Sequence, residues 1–186
     1  MNQQPNQQPY YPQQMQAPKK GGGWGIGLIL LVVLLPMILI GVGIMAVLGI
    51  YGTRKYISTA KAVEARSSLS QMGMLAKAAY ERDGKVCRSA STPIPAAVPT
   101  GTKYMSSPGE WEADKATNAG FACLGFAMST PQYFQYQYTA TPTGFTATAR
   151  GDLDADGVVS EYELSGQVVG GVLQVAPTLK ETNAGE

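Results

Sequence analysis

The pattern of apolar and polar positions passes through three regimes along this chain. From Gly25 to Ile50 the sequence reads GIGLILLVVLLPMILIGVGIMAVLGI, apolar on every side of a helix and longer than the ~20 residues that cross a bilayer. No residue between Lys20 and Arg54 is charged. Beyond it the pattern becomes one-sided: Ala62, Ala65, Leu69, Met72, Ala76 and Ala79 follow one another at spacings of 3, 4, 3, 4 and 3, the signature of one helix face. Gly52 is the weak point between the two segments, and a lone glycine costs a helix about 1 kcal/mol without breaking it. Gly84, after Glu81-Arg82-Asp83, is the expected stop with positive φ. These features predict one helix from Gly25 to about Asp83, with Pro36 as a kink within the span.

The third regime has period two. In Gln132-Tyr-Phe-Gln-Tyr-Gln-Tyr-Thr139, Phe134, Tyr136 and Tyr138 alternate with Tyr133, Gln135 and Gln137. After Thr141-Pro-Thr-Gly144, Phe145, Ala147 and Ala149 alternate with Thr146, Thr148 and Arg150. This predicts an antiparallel hairpin whose aromatic face covers the small residues of the helix. Between helix and hairpin, Lys85 to Pro131 carries prolines in STPIPAAVPTGT and SSPG that exclude long regular elements. The expected fold is α+β, a long N-terminal helix on a small antiparallel sheet. Its parts are a Gln/Pro-rich cytoplasmic segment 1–23, a transmembrane helix 24–53, an amphipathic continuation 54–84, a loop-rich sheet head 85–175 and a flexible tail 176–186. Residues 1–18 hold seven Gln, four Pro and no charge, too little apolar surface to offset the cost of ordering.

Charge and cysteine usage narrow the compartment and the partners. The apolar run exceeds the roughly 7–15 residues of a signal peptide, which favours a retained single span. Lysines 19 and 20 flank one end and Arg54, Lys55 and Lys61 the other, so basic residues alone do not orient it. Cys87 and Cys123 both follow the span. A disulfide in an oxidising compartment is one reading of this pair, and two buried thiols in a cytoplasmic domain is the other. Residues after the span carry 12 Lys and Arg against 13 Asp and Glu, and this balance without a basic patch argues against nucleic acid as a partner. With no histidine, no G-x-S-x-G and no P-loop, the chain is not expected to be an enzyme.

One motif carries chemistry. In Gly151-Asp-Leu-Asp-Ala-Asp-Gly-Val-Val-Ser-Glu-Tyr-Glu-Leu164, Asp152, Asp154, Asp156, Val158, Ser160 and Glu163 stand at positions 1, 3, 5, 7, 9 and 12 of a calcium loop, with Gly157 at position 6. That spacing brings six or more oxygens around one Ca²⁺: carboxylates, the Val158 carbonyl, the Ser160 hydroxyl and a bidentate Glu163. A strand pattern precedes the loop where an EF-hand has a helix. The alternative is an acidic turn that joins two strands and binds nothing.

Taken together, Ala60-Lys-Ala-Val-Glu-Ala-Arg-Ser-Ser-Leu69, Tyr133-Phe-Gln-Tyr136 and Phe145-Thr-Ala-Thr-Ala-Arg-Gly-Asp-Leu-Asp-Ala-Asp-Gly157 resemble the type IV pilin-like proteins of delta-proteobacteria and their relatives, over roughly residues 40 to 165. The resemblance implies a pilin-like fold anchored in the inner membrane, with the C-terminal head in the periplasm or outside the cell. It also implies a role as subunit or minor component of a pilus or type II secretion filament, with other pilin-like subunits or assembly proteins as partners. Lys19-Lys-Gly-Gly-Gly-Trp24 echoes the family's basic, glycine and aromatic leader border. Leu28 stands where the family has a Glu, and this departure favours a second reading, a membrane-anchored extracytoplasmic binding module that does not polymerise.

Overall fold

The computed structural model describes residues 24–184, so the expectations for segment 1–23 and for the leader-like border lie outside the described residues. Helix α1 runs from Trp24 to Asp83, 60 residues, within one residue of the expected start, and Pro36 lies inside it without ending it. Gly84 takes φ 67° and donates its N–H to the Tyr80 carbonyl at 2.8 Å, which terminates the helix as its position in the sequence suggests. The chain forms two compact units, one up to Val47 and one from Leu48 onward.

In the first unit α1 is apolar and open on all sides. Gly27–Gly49 is one stretch of 23 residues with mean hydropathy 3.0 and no buried position, long and apolar enough to cross a membrane.

The second unit is an α+β head. Its sheet has the order β1 (Gln135–Thr141), β2 (Gly144–Gly151), β3 (Ser160–Val169), β4 (Val172–Val175), all antiparallel, and β5 (Lys180–Thr182) shares the outer edge of β3 with β4. The hairpin of β1 and β2 closes with Thr141 opposite Gly144. All six residues of the helix stripe are buried to 2% exposure or less. They join Phe134, Tyr136 and Tyr138, then Phe145, Ala147 and Ala149, then Tyr162, Leu164 and Leu173, in one core. Small residues on α1 let aromatic side chains from the strands fill the space between layers. The helix comes close to the sheet at Gly73, where an added Cβ would stand 2.8 Å from Leu164 Cδ2 and 3.0 Å from Val175 Cγ1.

Between α1 and β1 the chain is irregular in backbone but adds Trp111, Phe121 and Phe126 to the same core. Short helices α2 (Pro108–Trp111) and α3 (Gly120–Leu124) set Trp111 edge-on to Phe121 and Phe126, with ring centroids 5.0 and 5.4 Å away. Trp111 Nε1 donates to Ser106 Oγ at 2.8 Å, and Ser106 Oγ donates to Gln132 Oε1 at 3.1 Å. The Gln132 amide in turn donates to the carbonyls of Ile94 and Phe134. Every member of this buried polar chain is thus paired. A disulfide joins Cys87 to Cys123 across 36 residues, tying the end of α1 to α3. Free thiols are absent among the described residues.

The expected tail 176–186 is corrected in part. Residues 180–182 form β5, with Glu161 opposite Thr182 and Glu163 opposite Lys180. Arg66 of α1 holds this edge through two hydrogen bonds to Glu181, at 2.7 and 2.9 Å.

Candidate functional site

The acidic motif forms the connection between β2 and β3. Gly151 ends β2 where the backbone passes close to its neighbours: an added Cβ would lie 2.8 Å from the Tyr133 carbonyl oxygen and 3.0 Å from Phe134 Cδ1. The next residue, Asp152, is 4% exposed. Its N–H donates to the Pro99 carbonyl at 3.1 Å and its carbonyl accepts from Gly101 N–H at 2.7 Å, which fixes the loop against residues 99–101. Both oxygens of its carboxylate face inward along the turn, accepting from Ala155 N–H at 2.7 Å and Gly157 N–H at 3.1 Å. The turn needs positive φ at Ala155 (65°) and Gly157 (91°). Asp156 caps its far side by accepting from Val158 N–H at 2.7 Å.

Oxygens of Asp152, Asp154 and Asp156 all lie within 4.8 Å of one another, the first buried and the other two exposed. Three carboxylates this close repel unless positive charge compensates them, and their hard oxygens suit Ca²⁺ or Mg²⁺. The loop is also tied to α1: Lys61 Nζ donates to the carbonyl of Leu153 at 2.5 Å. The same ammonium stands 4.7 Å from the centroid of the Tyr133 ring, with Lys103 Nζ 4.8 Å from that centroid.

The remaining expected ligands are placed differently. Glu163 lies within β3, paired with Thr148 and Lys180, and is not part of the carboxylate group. In an EF-hand a helix turns position 12 back over the ion. Here extended strand begins at position 9 and carries Glu163 about 10 Å beyond Ser160. Ser160 is fully buried, and its hydroxyl donates to the Asn183 carbonyl at 2.8 Å. Val158, whose carbonyl is the expected ligand at position 7, is 39% exposed. Of the six expected ligands, the structure groups the carboxylates of Asp152, Asp154 and Asp156.

A second charged site went unread in the sequence. Glu64 is half-buried where α1 meets the start of β1, and its Oε1 accepts from Tyr133 N–H at 2.8 Å and from Tyr136 O–H at 3.2 Å. Burial raises its pKa above the ordinary 4.5, and the hydrogen bonds and the nearby Lys103 only partly oppose this. The available signal was its position, directly before the buried Ala65 and so on the flank of the stripe rather than on the open face. No family model, no characterised protein and no solved structure matches this chain.

Proposed function

We propose that the protein is a single-span, membrane-anchored structural subunit of type IV pilin-like character, with its head on the extracytoplasmic side. The observation that carries this reading is the face of α1 opposite the core. Tyr56, Ala60, Val63, Ser67, Ser70, Met74 and Ala78 recur on that face, all exposed, without one charged residue among them. A helix face meant for water normally carries charge; from Tyr56 to Ala78 the charged residues Lys61, Glu64, Arg66 and Lys77 lie off this face, and Glu81, 4.0 Å from Lys77, is the first charge on it, at its C-terminal end. A neutral stripe of small and apolar side chains suits close packing against another helix, here that of a second subunit in a pilus or type II secretion filament. The Cys87–Cys123 disulfide supports an oxidising compartment for the head.

In this reading the loop between β2 and β3 holds one structural Ca²⁺ through Asp152, Asp154 and Asp156. The second reading, an anchored binding module that stays monomeric, is favoured by Leu28, which places no acid within the apolar span. The two separate on Val63→Glu and Met74→Glu. For a subunit, either charge is expected to abolish higher-order assemblies in native membranes while leaving the melting of the head unchanged. For a monomeric module, sedimentation of the unmutated chain shows no assemblies to lose.

A further inference from the structure

We infer that the cavity between residues 95–99 and Tyr104 is a binding site for an alkylammonium group, with the ligand's hydrocarbon chain against that loop and the Tyr104 ring and its cation at Glu110. The cavity measures about 320 Å³, at the lower end of the range of small-molecule sites. Pro-Ala-Ala-Val-Pro at residues 95–99 gives it a mainly apolar wall, and Thr102, Lys103, Tyr104 and Glu110 complete the lining.

The groups that would meet the cation are fixed in advance. The Tyr104 backbone exchanges hydrogen bonds of 2.8 Å with Gln132 in both directions, and its hydroxyl donates to Glu110 Oε1 at 2.8 Å. The ring is thus held at both ends and still 37% exposed, a preorganised aromatic wall of the kind that attracts cations. Glu110 also accepts from Ser107 N–H at 2.6 Å and from Ser107 Oγ–H at 2.9 Å. The bond from the Ser107 backbone, then that from Tyr104, holds its carboxyl below the usual carboxylate range, so it is ionised at neutral pH. These donors are all neutral. Glu112 pairs with Lys115, whereas Glu110 takes no part in the ion pairs among the described residues. Lys103 is the cation of the lining, and its ammonium is engaged by the Tyr133 ring, 4.8 Å from the centroid, and by the charge of Glu64. An apolar wall beside a fixed carboxylate that lacks a cation complements a positive charge carried on a hydrocarbon stem.

The test titrates the full chain in non-ionic detergent with Nα-acetyl-lysine amide, and with its Nε-acetylated form as the neutral control, by saturation-transfer NMR read on the probe. Saturable binding of the charged probe and none of the neutral form is expected. Glu110→Gln keeps acceptors for Ser107 and Tyr104 and removes the charge, so binding is expected to weaken roughly tenfold while the melting of the head stays the same. Tyr104→Leu removes the aromatic wall, and a several-fold loss of affinity is expected. Absence of saturable binding by the charged probe overturns the inference, and so does equal binding of the neutral form. Unchanged affinity in Glu110→Gln overturns it as well; if that variant melts lower, Tyr104→Leu decides in the same way.

Discussion

Glu64 and Glu181 are both carboxylates that join α1 to the sheet, yet they respond to pH with opposite sign. Burial raises the pKa of Glu64, so the folded chain binds its proton at higher pH than the unfolded chain does. Its contribution is fully present below the unfolded value near 4.5 and is lost as pH rises through the raised value. Glu181, hydrogen-bonded by Arg66, titrates below its ordinary value and contributes above it, with loss as pH falls. Glu64→Gln keeps an acceptor for Tyr133 N–H and removes only the first of these responses. Urea unfolding from pH 4 to 8 is therefore expected to show a smaller loss of stability on the alkaline side for this variant. An unchanged pH profile would mean that the Glu64 proton is not linked to folding. A second residue-scale expectation concerns Gly166, over which the Phe145 ring lies so closely that an added Cβ would have to displace it. Gly166→Ala is expected to cost about 1–3 kcal/mol by overpacking, read as a lowered urea midpoint at constant slope.

At the scale of elements, the periodic parts of the chain were legible and the non-periodic parts were not. The stripe from Ala62 to Ala79 and the alternation of Phe134, Tyr136 and Tyr138 are repeats, and all nine residues are buried. Leu69→Asp would bury an unpaired charge in this layer, and a loss of several kcal/mol of head stability is expected, measured by the same unfolding experiment. Retention of full stability would contradict the packing of α1 on β1 and β2. Trp111 of α2, Phe121 of α3 and Phe126 after it meet from separate short segments, so no local period announces them. Residues 180–182 look like a polar tail, because what makes them a strand is distant: the free edge of β3 and the guanidinium of Arg66, 115 residues away from Glu181. In the acidic loop, the spacing points to the three aspartates whose carboxylates the fold brings together, and Glu163 stands outside that group. The reach of position 12 depends on the element that follows the loop, and here a strand follows where an EF-hand has a helix.

At the scale of the whole molecule, the Cys87–Cys123 disulfide holds the irregular region to the end of α1. Removing the disulfide as Cys87→Ala with Cys123→Ala is expected to lower head stability by about 2–5 kcal/mol. If the loop holds Ca²⁺ with the ~10⁻⁴–10⁻³ M affinity of extracellular sites, the ion at one hundred times its dissociation constant adds about 2.7 kcal/mol. Thermal melts of the full chain in detergent, with calcium or with chelator, measure this directly. Coincident melts would leave the loop as an acidic turn. The central claim is that the face of α1 from Ala60 to Ala78 packs against another copy of the chain. It is tested most directly by oxidative crosslinking in native membranes of chains carrying Val63→Cys or Met74→Cys on that face, or Lys77→Cys on its flank. The native cysteines are already paired and do not interfere. Efficient disulfide-linked dimers from positions 63 and 74, with few from position 77, are expected. Equal crosslinking at all three positions, or none at 63 and 74, would contradict the account.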